Sequence, residues 1–299
     1  MTMKPYVFAD YDVGRFVADL PRIAEVYREY GVVIFPRLLE SDENYRNYVS
    51  ELHFLFDDLM ARKLDRRAAD LEIGEKLTLL ASLQPALGKI ITGLGTQHNK
   101  FFSFNKVKYS SYIEQFLLSV WGKDALLATP QAGDTLHFFP PGETFHRYNL
   151  PPHQDYQYLM QSPRQATMYF GISQYQDGVG GLRIWEKSHE LGVLASHKNR
   201  NGAFEVHEWD EKLKSYDVCD YAWNRGDFGI FDSLLSHSSI PNTTESHSRI
   251  VQIFRYSDLN DDVARSYDFG STTYPRSGRD FVVEHPDLFV ADATGASTT

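Results

Sequence analysis

The stretch PPHQDYQY (151–158) sets an imidazole and a carboxylate two residues apart. On a β-strand, residues i and i+2 point to the same face, so His153 and Asp155 would enter one cavity while Gln154 turned away. A nitrogen and an oxygen donor converging from one strand make two adjacent ligands for a divalent metal. A third donor would complete a facial triad with open positions opposite it, the arrangement of non-haem Fe(II) oxygenases. His237, in GDFGIFDSLLSHSSIPN, is the candidate. It follows a buried-looking strand and a short turn, 82 residues on (155 to 237), which leaves room for several strands to intervene.

A His-x-Asp pair alone is common by chance, and among eleven histidines one will fall near any chosen place. The discriminating feature is the order of strand, turn, His237, Pro-Asn and then Arg249, twelve residues further on (237 to 249), opening the run RIVQIFRY. A fixed guanidinium there could grip a carboxylate through two parallel hydrogen bonds. The hydroxyl of Ser239, two residues after His237, could share that task.

Donors so far apart in sequence need a β framework to bring them together. From about residue 125, short β-type runs (LLATPQ, TLHFF, ATMYFGI, GLRIW, DFGIF, RIVQIFRY) alternate with the turn signals PPGE, DGVGG, NRNG, NRGD and IPNTT. Many short strands punctuated in this way predict a sandwich or barrel. The first 120 or so residues are mostly helical in pattern. Val13 to Tyr30 carries one apolar helical face closed by Gly31, VVIF (32–35) is a short buried strand, and helical spacing returns over 45–64 and 111–122. The fold class is therefore α+β, mainly β: a jelly-roll (double-stranded β-helix, cupin-like) core supported by N-terminal helices. We expect one domain over 1–290, with a helical part to about 122, the jelly roll over 125–257, an extension over 258–290 and a disordered tail over 291–299.

Composition narrows the function classes. A net charge of −10 has the wrong sign for an electrostatic nucleic-acid binder. No run approaches the ~18 apolar residues of a membrane span, and the N-terminus lacks a signal-peptide pattern. The one cysteine, Cys219, excludes an internal disulfide and any multi-cysteine metal site, which fits a cytoplasmic location.

HQDYQY, DGVGGLRIWEKSHELG and GDFGIFDSLLSHSSIPN…SHSRIVQIFRY, in that order, resemble the phytanoyl-CoA dioxygenase family of Fe(II)/2-oxoglutarate oxygenases. The similarity runs over about 130–257, and YGVVIFPRLL (30–39) resembles the family's opening strand. The resemblance implies that His153, Asp155 and His237 bind Fe(II). It implies that Arg249, with Ser239 beside it, holds the distal carboxylate of 2-oxoglutarate, the cosubstrate with O2. Oxidation of a C–H bond in a small or medium-sized organic molecule would follow, with release of succinate and CO2. Related halogenases replace the carboxylate ligand with a small residue; Asp155 is kept here, which favours hydroxylation or another hydrogen-abstraction outcome. One departure stands out. Where the family often places a basic or polar residue before the metal motif, HFFPPG offers Phe138 and Phe139. Thr167 and Gln131 are the candidates to complete the cosubstrate site, ordinary strand residues being the plainer alternative.

Other residues have weaker claims. Tyr158, Trp185, His146 and Arg147 are candidate substrate contacts, Tyr158 only if a bulge interrupts a strand that would otherwise turn it away from the metal, Trp185 set against core packing, and the last two set against a solvated loop. His189 is expected to fix a loop, His247 to lie on the surface, and the glycines of DGVGG to make a turn. Two other functions compete: a cupin-like metal enzyme without a keto acid, which would have no use for Arg249, and a non-catalytic carbohydrate-binding jelly roll, which would have no use for the triad.

Overall fold

A computed structural model describes residues 4–65, 70–83, 86, 89–90, 93–94, 97–129, 134–141, 149–160, 162–269, 282 and 284–291. Gln131, His146 and Arg147 lie outside the described residues.

The helical layer follows local signals. Helix α1 (Val13–Ala18) is capped by the Asp12 carboxylate, and α2 (Leu20–Tyr30) ends at Gly31, whose φ of 71° is the left-handed conformation that glycine takes without a steric penalty. The sequence reads as one helix over 13–30, but the chain breaks at Asp19, because a proline in the first turn of α2 cannot continue a hydrogen-bonded ladder. Helix α3 (Glu43–Leu64) starts where Asp42 accepts the N–H groups of Asn44 and Tyr45. Helices α4 (Ile73–Ala81), α5 (Phe102–Lys108) and α6 (Ser111–Trp121) complete the layer.

These helices cover one face of a six-stranded antiparallel sheet. Its strands are β1 (Val32–Phe35), β2 (Leu127–Ala128), β3 (Thr135–Phe139), β4 (Gln165–Gly171), β9 (Phe228–Asp232) and β11 (Arg249–Asp258). The order is β1-β9-β4-β11, with β2 and β3 both pairing along the far side of β11. VVIF thus joins the β core from within the helical half of the sequence, pairing Val32 with Phe231. A smaller sheet of order β10-β5-β8, from β5 (Gly181–Trp185), β8 (Val218–Tyr221) and β10 (His237–Ile240), faces the other side. A hairpin of β6 (Ser196–Lys198) and β7 (Phe204–Val206), the short helix α7 (Trp209–Lys212) and α8 (Asp262–Ser266) complete the described elements.

Burial on both faces explains why the main strands read as continuous apolar runs rather than alternating ones. Met168, Phe170, Ile250 and Phe254 pack with helical residues such as Tyr48, Phe56 and Phe104. Their alternates Tyr169, Val251 and Ile253 pack with Leu182 and Ile184 of the smaller sheet. Strand parity therefore sorts each residue into a structural core or into the space between the sheets, and the candidate site lies in that space.

Candidate metal centre

Two prolines lead into His153. They supply no N–H and favour extended backbone. The Leu150 and Pro152 carbonyls accept from Ser239 and Val206 N–H, and His153 is the first residue after the prolines to donate as well. His153 and His237 form an antiparallel bridge, each N–H donating to the other's carbonyl at 2.9 and 3.0 Å. Gln154 is extended (φ −111°, ψ 140°), which places Asp155 on the same side as His153. The chain then turns into a single 3-10 turn over Asp155–Gln157 instead of continuing as the expected strand. Gln154, pointing the other way and fully buried, donates to the carbonyls of Gly192 and Leu234 and accepts from Leu194 N–H. That amide ties the motif to two loops.

One ligand atom from each of His153, Asp155 and His237 lies within 4.8 Å of the others, all three residues being buried. The imidazole centroids are 4.3 Å apart, and His153 Nε2 stands 3.9 Å from Asp155 Oδ1. Nδ1 of His153 lies 2.7 Å from the Pro151 carbonyl, and Nδ1 of His237 lies 3.0 Å from that of Leu235. A carbonyl only accepts, so each Nδ1 carries the proton and each Nε2 offers a lone pair, the tautomer a metal needs. Burial, reinforced by His237, lowers the His153 pKa to about 3, keeping it neutral. Burial alone would raise the Asp155 pKa, but Arg255, His237 and His153 outweigh it and hold the carboxyl well below the usual carboxylate range. Two imidazoles held through Nδ1 and one carboxylate, buried and converging, fit a divalent iron.

Arg249 opens β11 and is 1% exposed, with its guanidinium carbon 3.9 Å from the centroid of the Phe139 ring. Its Nε and Nη1 have no hydrogen-bond partner among the described residues. A buried cation without an anion is costly, and burial lowers its pKa. Two N–H donors are thus left for an acceptor that the described residues do not supply. Ser239 lines the cavity with the triad, its Oγ accepting from Leu150 N–H at 3.2 Å.

Several expectations need correction. Thr167 pairs in register with Arg255, six positions along β11 from Arg249, and its hydroxyl donates to Asp155 Oδ2 at 2.5 Å. It therefore serves the metal end of the cavity and is not placed beside Arg249. Of the β3 residues, Phe138 packs into the helical core, whereas His137 and Phe139 line the cavity. The polar group on that strand is His137, its pKa lowered to about 3 by burial and then by Arg255. It was legible: Phe139 pairs with Arg249 and two steps back is the same face. Trp185 has the parity opposite to Leu182 and Ile184, and packs in a satellite cluster with Leu194, Val206 and Leu213, away from the cavity. Tyr158 stands edge-on to His153, with its hydroxyl engaged by the Phe204 backbone. His247 is buried, with Nε2 3.3 Å from Glu72 Oε2. His189 contacts the Arg28 carbonyl and abuts Gly31. The residue missed altogether is Arg255, which bridges Asp155 through Nη2 to Oδ1 at 2.9 Å and Nε to Oδ2 at 3.4 Å.

Among the described residues no helix is long and apolar enough to cross a membrane. No curated relative matches the chain by sequence. Among solved structures, it is similar in fold to SnoN, described as a non-heme alpha ketoglutarate dependent epimerase from nogalamycin biosynthesis. The complex of that enzyme with Fe3+, alpha ketoglutarate and nogalamycin RO has 15% identity and a TM-score of 0.55, covering 87% of this chain and 94% of that one. A second SnoN structure gives a TM-score of 0.52 at the same identity and coverage. EctD from S. alaskensis, with 2-oxoglutarate and 5-hydroxyectoine, has 14% identity and a TM-score of 0.49 over 87% of this chain and 82% of that one. The family model for phytanoyl-CoA dioxygenase (PhyH) matches residues 27–251, well over half the chain and including every residue of the triad and Arg249. The chain belongs to the phytanoyl-CoA dioxygenase family of iron- and 2-oxoglutarate-dependent oxygenases.

Proposed function

We propose that the protein is a hydroxylase acting on an unactivated C–H bond of a small or medium-sized organic substrate. The observation that carries this is the pairing of a buried His153–Asp155–His237 cluster, tautomers fixed for metal binding, with the buried guanidinium of Arg249, two of whose nitrogens have no hydrogen-bond partner among the described residues. When bound, Fe(II) with 2-oxoglutarate and O2 supplies the oxidation of the C–H bond, the keto acid leaving as succinate and CO2.

The chain's own residues prepare that chemistry. Proline and leucine carbonyls orient the two imidazoles, and Arg255 with Thr167 holds Asp155 ionised. Arg249 receives the distal carboxylate, with Ser239 lining the same cavity. Phe139, Leu182, Phe231 and Ile253 make the walls apolar, which excludes water from the reacting atoms and strengthens every charge interaction inside. A carboxylate at position 155 occupies the position a halide would need, which favours oxygen transfer over halogenation.

Anaerobic titration of the metal-free protein with Fe(II) and 2-oxoglutarate, followed by visible absorbance, tests the reading. A keto acid chelated to Fe(II) in a protein site gives a charge-transfer band that neither component gives alone. We expect the band in the wild type, its loss in Asp155→Ala and its weakening in Arg249→Ala. Iron binding with no band would instead favour a metal enzyme that uses no keto acid.

A further inference from the structure

Asp155 is gripped by more of the chain than a metal ligand requires. Strands β4 and β11 pair Thr167 with Arg255, and both side chains meet this one carboxylate. Oδ2 accepts from the Thr167 hydroxyl at 2.5 Å and from Arg255 Nε at 3.4 Å, so its two lone-pair directions are both taken. Oδ1 accepts Arg255 Nη2 at 2.9 Å and is the oxygen that faces His153 Nε2. Thr167 is buried, and Arg255 is mostly so. The two oxygens of Asp155 are thus unequal: one is closed by donors, the other faces the imidazoles.

We propose that Arg255 and Thr167 are positioning residues that restrict Asp155 to a single ligating oxygen, Oδ1, and so reserve the metal positions a keto acid needs. The inference rests on reading the site as an iron and 2-oxoglutarate centre. Coordination number sets the constraint. Three singly bound ligands leave half of an octahedron open: two positions for a chelating keto acid and one for dioxygen. A carboxylate binding through both oxygens would occupy one of these and set the cosubstrate against dioxygen.

Closing Oδ2 with a neutral hydroxyl and a guanidinium prevents this, and the guanidinium adds a second effect. Its positive charge opposes the cation that Asp155 is there to bind. Removing it should therefore leave metal binding intact or tighter while keto-acid binding weakens. An ordinary supporting residue would behave differently: its loss would weaken both together.

Cobalt(II) is a suitable probe, since its visible absorption reports coordination number without turnover. The wild type, Thr167→Val, Thr167→Ser and Arg255→Gln would each be titrated with Co(II), then with 2-oxoglutarate, with thermal melting as the check on folding. Thr167→Val keeps the shape of the side chain and deletes only the donor, so it tests the proposal even if Arg255→Gln fails to fold. For Thr167→Val we expect an altered Co(II) spectrum, a Co(II) dissociation constant unchanged or lower, and a 2-oxoglutarate dissociation constant raised about tenfold, the scale typical of outer-sphere partners. Thr167→Ser, which restores the hydroxyl, should return the wild-type spectrum. An unchanged spectrum with unchanged 2-oxoglutarate affinity would overturn the proposal, as would parallel weakening of Co(II) and 2-oxoglutarate binding. A folded wild type that takes up no Co(II) would overturn the reading of the site itself, which separates the two failures.

Discussion

Arg249 illustrates how a residue can serve function against stability. Its guanidinium is buried, has two nitrogens without a partner among the described residues, and rests on the face of Phe139. The aromatic face offsets part of the desolvation cost but supplies no hydrogen-bond acceptor. Arg249→Met, which keeps much of the volume and removes the charge, should stabilise the metal-free protein by about 1–2 kcal/mol, measured by urea unfolding. The same variant should lose the extra stability that 2-oxoglutarate gives the metal-loaded wild type. The histidines give a pH prediction. His137 and His153 have folded pKa values of about 3, below the ~6.5 of an unfolded chain. Unfolding therefore takes up protons below pH ~6.5, so their contribution to stability is complete above that pH and is lost as pH falls toward 3. Each contributes a slope of up to about 1.4 kcal/mol per pH unit in that window. The midpoint of the metal-free protein should fall on acidification from pH 6.5 to 4, and the slope should lessen in His137→Phe.

At the scale of elements, the site depends on a ladder whose backbone approach only glycine allows. Gly180 precedes β5 with φ of 77°, and a Cβ there would lie 2.1 Å from the Ile240 carbonyl oxygen. Since β10 pairs with β5 and begins at His237, Gly180→Ala should cost about 1–3 kcal/mol of stability and weaken metal binding in the same variant. Calorimetry and Co(II) titration would show both. Strands buried on two faces, such as β4 and β11, were legible because β-branched and aromatic residues make up most of ATMYFGI and RIVQIFRY. HSSI in β10 was not, since three of its four residues are polar and no local propensity marks such a run. The i, i+2 rule placed His153 and Asp155 correctly although only one bridge and one extended residue stand where a strand was expected. Arg255 was missed because its partner lies 100 residues away in sequence, and proximity at that separation follows only from the β4–β11 register. The same holds for His247, whose partner Glu72 belongs to the helical layer.

Across the whole molecule, the main sheet divides the work. Helices pack on one face, and the cavity opens on the other, so the two sets of residues can be varied independently. Phe170, buried against Tyr45 and Phe254, should cost about 3–5 kcal/mol when changed to alanine, yet the folded fraction should bind 2-oxoglutarate as the wild type does. Isothermal titration below the melting transition checks this, and a parallel loss of affinity would show that the two faces communicate. Both arginines that serve the cavity stand on the far face of that partition, on one uninterrupted strand. Arg249 and Arg255 are six residues apart, a span of roughly 20 Å between their Cα atoms at the rise of an extended chain. Strand β11 is pinned on both sides by neighbours, so this interval cannot stretch as a loop-borne one would. The strand acts as a gauge inside the site: the separation of the Arg249 guanidinium from the Arg255 grip on Asp155 is set by backbone pairing rather than by the conformation of a loop.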